Sequence, residues 1–180
     1  MEGFFEGDYM EYFDLYDKYG NSLNKQALRG HHLKEGEFFK VIHVWIENEQ
    51  GEFLIQQRAK SNDPIPYQWA ITSGIPDQGE SAIDAAIRET KEEIGITLEK
   101  RKLKRIARIV SSHNKYNTIT FVYHIYANLS ISEMTLNEKE VLQVKYACIS
   151  EILEMVENQE FWDYKVLLGE PNYFSLIRRR

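Results

Sequence analysis

Apolar residues recur along this chain in two different periods, and the change of period marks its elements. Phe38 to Ile46 is a run rich in β-branched and aromatic residues, followed by ENEQGE as a turn and FLIQQR as the next strand. Trp69 to Thr72 reads as a brief strand delivering Ser73 and Gly74. Leu103 to Ser111 and Thr118 to Asn128 read as two strands joined by HNKYN, and Val141 to Ile149 as a further one. Between Ser81 and Ile94 the spacing becomes helical: at roughly 100° per residue, Ile83, Ala86, Ile87, Thr90 and Ile94 gather into one stripe. Ser81 followed by Asp84 resembles a capping box, and Gly95 stands where a left-handed residue ends a helix. Ser150 is placed to cap a second helix through about Asn158. SNDPIPYQ is a loop, its prolines excluding regular helix or a central strand, and EYFDLYDKYGNSL suggests a short hairpin around Lys18 to Asn21. This order of strands and helices predicts an α/β sandwich, a mixed β-sheet held between helices.

The same helix carries a second arc made of Glu89, Glu92 and Glu93. Three carboxylates at these spacings repel one another, and no lysine or arginine is spaced to neutralise all three. A cation is expected among them. Mg2+ suits carboxylate oxygens and substrate phosphates together, and Mn2+ accepts similar ligands. Glu80 at the end of the preceding loop and Arg88 two turns into the helix are spaced to pair, pinning loop to helix. Taken alone, ETKEE equally describes a solvated acidic face. The wider pattern separates the two readings, because a glycine, a later glutamate, RE, EE and a closing glycine all fall at fixed offsets.

That pattern resembles the Nudix box: G, five residues, E, seven residues, then R-E-U-x-E-E-x-G-U, with U a bulky aliphatic. Gly74, Glu80, Arg88, Glu89, Glu92, Glu93, Gly95 and Ile96 fit it, while Thr90 stands at an aliphatic position and Ser73 where many relatives carry glycine. Thr90 is close to valine in shape, so a slightly altered core contact is expected there. The resemblance runs from about Phe38 to Ile149 and implies the Nudix α/β/α sandwich. It also implies metal held by Glu89, Glu92 and Glu93 with the Ser73 backbone carbonyl, and water attack on one phosphorus of a diphosphate. A general base comes either from the box or from a distant loop, where Glu140 is the candidate and Glu138 the substitute. Arg58 sits where relatives often place an arginine near substrate phosphates. Tyr67 and Trp69 are candidates for stacking on a substrate ring.

FDLYDKYG and VIHVWIENEQGEFLIQQRA are similar to the Nudix branch near isopentenyl-diphosphate isomerase, which offers an alternative activity. Such isomerases need a cysteine just before the box glycine and histidine metal ligands. Here Ser73 holds the first place, Phe39 lies near the expected upstream histidine, and the only cysteine is Cys148. The hydrolase reading keeps every acidic ligand and is preferred. A nucleotide-sensing Nudix domain without turnover is the other alternative, disfavoured because a pure binder has no need of a self-repelling acidic cluster.

Composition narrows the partners. A net charge of −6 argues against long nucleic acid. The single cysteine cannot form an internal disulfide, no apolar stretch approaches the roughly 20 residues needed to cross a bilayer, and MEGFFEGDYM lacks a secretory pattern. The expectation is one domain over 1–180, with 1–36 as an N-terminal extension or hairpin, in the cytoplasm. Its expected partner is a small-molecule diphosphate, and the resemblance and the aromatic N-terminal segment are compatible with a homodimer.

Overall fold

Strands β1 (Tyr12–Tyr16) and β2 (Ser22–Leu28) pair antiparallel around a turn organised by Asp17, whose carboxylate accepts from Tyr19 N and Asn21 N, each at 2.9 Å. This is the hairpin expected around Lys18 to Asn21. The computed structural model describes residues 12–28, 32–59, 66–113 and 116–178. The MEGFFEGDYM start, most of the proline loop, the middle of HNKYN and the last two arginines lie outside the described residues.

The main sheet contains β3 (Phe39–Glu47), β4 (Phe53–Arg58), β5 (Trp69–Ala70), β6 (Thr72–Gly74), β7 (Lys104–His113), β8 (Tyr116–Tyr126) and β9 (Val141–Ala147). Its order is β5-β4-β3-β8-β7, with β6 paired to β3 and β9 to β4. The β3–β8 pair is parallel and the others are antiparallel, so the sheet is mixed. Because side chains alternate across a strand, β3 feeds both faces. Ile42, Val44 and Ile46 join a buried cluster with Ala85, Ala86 and Ile94 of α1 (Ala82–Ile94). Trp45 joins the opposite cluster with residues of α2 (Ile149–Glu157), α3 (Tyr164–Leu168) and α4 (Ser175–Arg178). Helices on both faces of a mixed sheet make the expected α/β sandwich.

Helix α1 begins as its sequence specifies. Ser81 Oγ accepts from Asp84 N at 3.2 Å, and Gly95 ends the helix at φ 77°, its N–H donating to Lys91 O. Thr90 is fully buried and its hydroxyl donates to Ala86 O at 2.7 Å, so the polar atom at an aliphatic position is satisfied within the helix.

Three features differ from the sequence reading. The strand expected to reach Ile149 stops at Ala147, and Cys148 rather than Ser150 holds the N-cap position of α2. Burying Ile152, Met155 and Val156 on one helical stripe draws the helix start ahead of Ser150. Helices α3 and α4 lie beyond the last element that the sequence pattern predicts. Asp163 caps α3 and Gly169 ends it at φ 63°, and Tyr173, just before α4, fills the core. The Tyr173 hydroxyl lies 2.8 Å from His43 Nδ1 and accepts from Trp45 Nε1 at 3.1 Å, tying the C-terminal segment to β3. The basic run from Lys100 begins as a 3₁₀ turn before β7, with Lys100 on Asp84 and Lys102 on Glu99.

Candidate active site

The site is assembled where β6, α1 and the connection from β8 to β9 meet. Gly74, the last residue of β6, lies against α1 so closely that a β-carbon on it would overlap the Glu89 carboxylate. The glycine is a requirement of close approach, not of backbone conformation. From Gly74 the chain loops through Asp77 and Glu80 before entering α1. Arg88 ties this loop down: its Nε and Nη2 donate to Glu80 at 3.0 and 2.9 Å, and Nη2 also donates to Ile75 O at 3.2 Å. Glu80 accepts from Asp77 N at 2.9 Å as well. The Glu80–Arg88 pair expected from spacing is therefore formed. Burial works against the charge on Arg88, but Glu80, Glu89 and Asp77 outweigh it and hold the guanidinium protonated.

The three glutamates of the acidic arc have separate environments. Glu92 is half exposed and pairs with Arg88 Nη1 at 2.9 Å. Glu89 is mostly buried and meets the same nitrogen at 3.0 Å. Glu93 is buried, and its carboxylate accepts from Gln56 Nε2 at 2.8 Å, with Thr72 nearby on β6. Among the described residues, no lysine or arginine pairs with Glu93.

A fourth acid arrives from elsewhere in the chain. The segment after β8 wraps around the C-terminal end of α1, where Thr135 N donates to Ile94 O at 3.1 Å and Asn137 N to Glu93 O at 3.0 Å. Those bonds satisfy helix carbonyls that would otherwise lack partners. They also bring Glu140 close enough for its charge to act on both Glu89 and Glu93, whereas Glu138 is exposed.

Electrostatics follow from this crowding. Burial pushes Glu93 up to about 8, with Glu89 and Glu140 adding repulsion and the Gln56 hydrogen bond opposing it. Burial likewise raises Glu89 to about 7 despite Arg88, with Glu92 and Glu140 contributing. As arranged, the oxygens are engaged by Arg88 and Gln56, and among the described residues no three acidic, histidine or cysteine side chains form a ready-made cation cage. The chemistry of the set still fits a dication: Glu89 and Glu93 are largely buried carboxylates that repel each other, and among the described residues Arg88 pairs with the first and not the second.

A profile of the NUDIX domain matches residues 38–168. The chain belongs to the Nudix family. A Nudix hydrolase of Listeria innocua is 31% identical over 156 residues, covering 86% of this chain and 90% of the relative. An isopentenyl-diphosphate Delta-isomerase of Streptomyces avermitilis is 33% identical over 85 residues, 47% of this chain and 43% of that one. The crystal structure of DR0079 from Deinococcus radiodurans shares the fold, with a TM-score of 0.72 at 19% identity over 94% of this chain and 98% of that one. This Nudix protein is accordingly a hydrolase of phosphorus-containing anhydrides. Its only cysteine is remote from the acids. Cys148 follows Ala147, which pairs with Phe53, whereas Glu140 precedes Val141, which pairs with Arg58 at the other end of β4. A strand of that length separates the two ends by about 20 Å.

The remaining candidates lie around the open end of β4. The Arg58 guanidinium is over the Trp162 ring at 5.2 Å, and its charge and that of Glu93 both act on the buried Tyr164 hydroxyl. Trp69 is half-buried beside Gln57 of β4, with Lys145 Nζ 5.0 Å from its ring centre. Tyr67 is exposed in a turn at φ 63°. Ser73 pairs with His43, whose imidazole burial pulls down to about 3 and so keeps neutral. Sequence reasoning missed Gln56, Thr72 and Trp162. A glutamine on the inward-facing side of a strand was a legible signal for the first; nothing local marked the other two.

Proposed function

We propose that this Nudix hydrolase uses a divalent cation to cleave the diphosphate linkage of a nucleoside diphosphate joined to another group. The observation that carries the reading is the buried convergence of Glu89 and Glu93 with Glu140 beside them. Mg2+ is the proposed ion, with Mn2+ as a substitute, held by Glu89 and Glu93 with Glu92 and the Ser73 carbonyl completing the protein's ligands. When bound, such an ion supplies positive charge against the phosphoryl oxygens and acidifies a water.

The chain's own residues do the rest. Arg88 and Glu80 fix the loop that carries the chain from Gly74 into α1, so the carboxylates keep their places when substrate enters. Arg58 contacts the phosphates, and Tyr67 and Trp69 contact the ring of the nucleoside. Glu140 takes the proton of the attacking water while the water oxygen bonds to phosphorus. The bridging P–O bond breaks, and its electron pair leaves with the second phosphate.

The test is a panel of nucleoside diphosphate sugars, dinucleoside polyphosphates, nucleoside triphosphates and coenzyme A, each with and without Mg2+. Mg2+-dependent turnover of at least one is expected, and Glu93→Gln should abolish it while substrate binding persists. Replacing the general base should cost roughly 10²–10⁴-fold in kcat, measured with Glu140→Gln. Saturable binding without turnover across the panel would replace the enzyme by a sensor.

A further inference from the structure

Gln56 is a buried amide at a position where β4 otherwise turns apolar side chains toward α1. Leu54, two residues earlier on the same face, belongs to the apolar cluster under that helix, and the strand neighbours of Gln56 are Ala70 and Val144. Gln56 is only 4% exposed. Burying an amide without a partner costs about 1–3 kcal/mol, so the place would favour leucine unless the amide had an obligatory acceptor. That acceptor is Glu93, which takes a hydrogen bond from Gln56 Nε2 at 2.8 Å. A strand thus grips one carboxylate of the helix.

The choice of donor matters more than its presence. Glu89 and Glu92 both meet the guanidinium of Arg88, whereas the Gln56 amide on Glu93 is neutral. A lysine or arginine at residue 56 would orient Glu93 equally well, but it would cancel the negative charge and compete with any cation. An amide fixes the direction of the carboxylate and leaves its charge available. We infer that Gln56 is a positioning residue that orients the Glu93 carboxylate for a divalent cation through the 2.8 Å bond to Oε2. The inference rests on the proposal that Glu93 takes part in holding the ion.

Mn2+ titration of the full chain by electron paramagnetic resonance tests it without a substrate. Removing a group that orients a metal ligand costs about 10–100-fold in affinity, and Gln56→Leu should show a loss of that size while melting as a folded protein. Gln57→Leu is the control, because Gln57 points to the other face and hydrogen-bonds Tyr67 O and Gln143, so its Mn2+ affinity should be unchanged. Gln56→Asn, which withdraws the amide by one methylene, serves if the leucine variant does not fold and should show a loss of the same order. Equal Mn2+ affinity in the wild type and whichever Gln56 variant folds would overturn the inference while leaving the dication reading intact. A wild-type chain that binds no Mn2+ would overturn the dication reading itself, and this inference with it.

Discussion

Gly74 and Thr90 test the two ways in which single atoms decide this site. A β-carbon on Gly74 collides with the Glu89 carboxylate, so Gly74→Ala should displace that side chain. Overpacking of this kind costs roughly 1–3 kcal/mol, and the expected result is a folded protein with Mg2+-dependent turnover severely reduced. Wild-type turnover in the alanine variant would mean that Glu89 can leave its place without harm. Thr90 presents the opposite case. Its hydroxyl is bonded only to the helix's own Ala86 carbonyl in a fully buried setting, so Thr90→Val should leave stability within about 1 kcal/mol in urea unfolding.

Among elements, the end of α1 and the N-terminal hairpin hold the site's two loops. Gly95 adopts a left-handed conformation, and a β-carbon there would lie 3.0 Å from Thr135, within the segment that brings in Glu140. Gly95→Ala should therefore destabilise the protein by about 1–3 kcal/mol and lower turnover, read by unfolding and by kcat. The hairpin reaches the other loop: Asp14 accepts from Gly79 N at 2.9 Å, and Phe13 beside it in β1 packs on Phe39 with ring centres 4.8 Å apart. Removing that acceptor, by Asp14→Ala, should cost about 1 kcal/mol locally and speed amide exchange at Gly79. Unchanged exchange there would separate the hairpin from the loop.

At the scale of the whole molecule the acidic cluster makes stability depend on pH in an unusual direction. Glu93 and Glu89 release their protons near 4.5 when unfolded but only at about 8 and about 7 in the folded protein. Between those limits the folded state binds protons that the unfolded state has lost. Metal-free stability should therefore fall as pH rises from 4.5 toward 8, by on the order of a few kcal/mol. Urea unfolding in EDTA at pH 5.5 and 8 measures this, and Glu93→Gln should flatten the slope. Added Mg2+ should raise the melting temperature most at the alkaline end, because an ion that binds only the folded state stabilises it by mass action.

Local chemistry made much of this protein legible in one dimension. The cap at Ser81, the left-handed end at Gly95, the Glu80–Arg88 pair and the strand around Trp45 depend on neighbours a few residues away, and sequence spacing specifies those relations. The same holds for Asp163 and Gly169 around α3, which cap and end that helix locally. Depth was not legible. A helical wheel sets the angle of Glu89, Glu92 and Glu93, but what packs against each angle decides that Glu93 is buried on Gln56 while Glu92 stays half exposed on Arg88. The approach of Glu140 depends on a loop satisfying carbonyls at the end of a distant helix. Hydrogen-bond completion and burial are properties of surfaces brought together, so only the tertiary structure could say which acids share one volume.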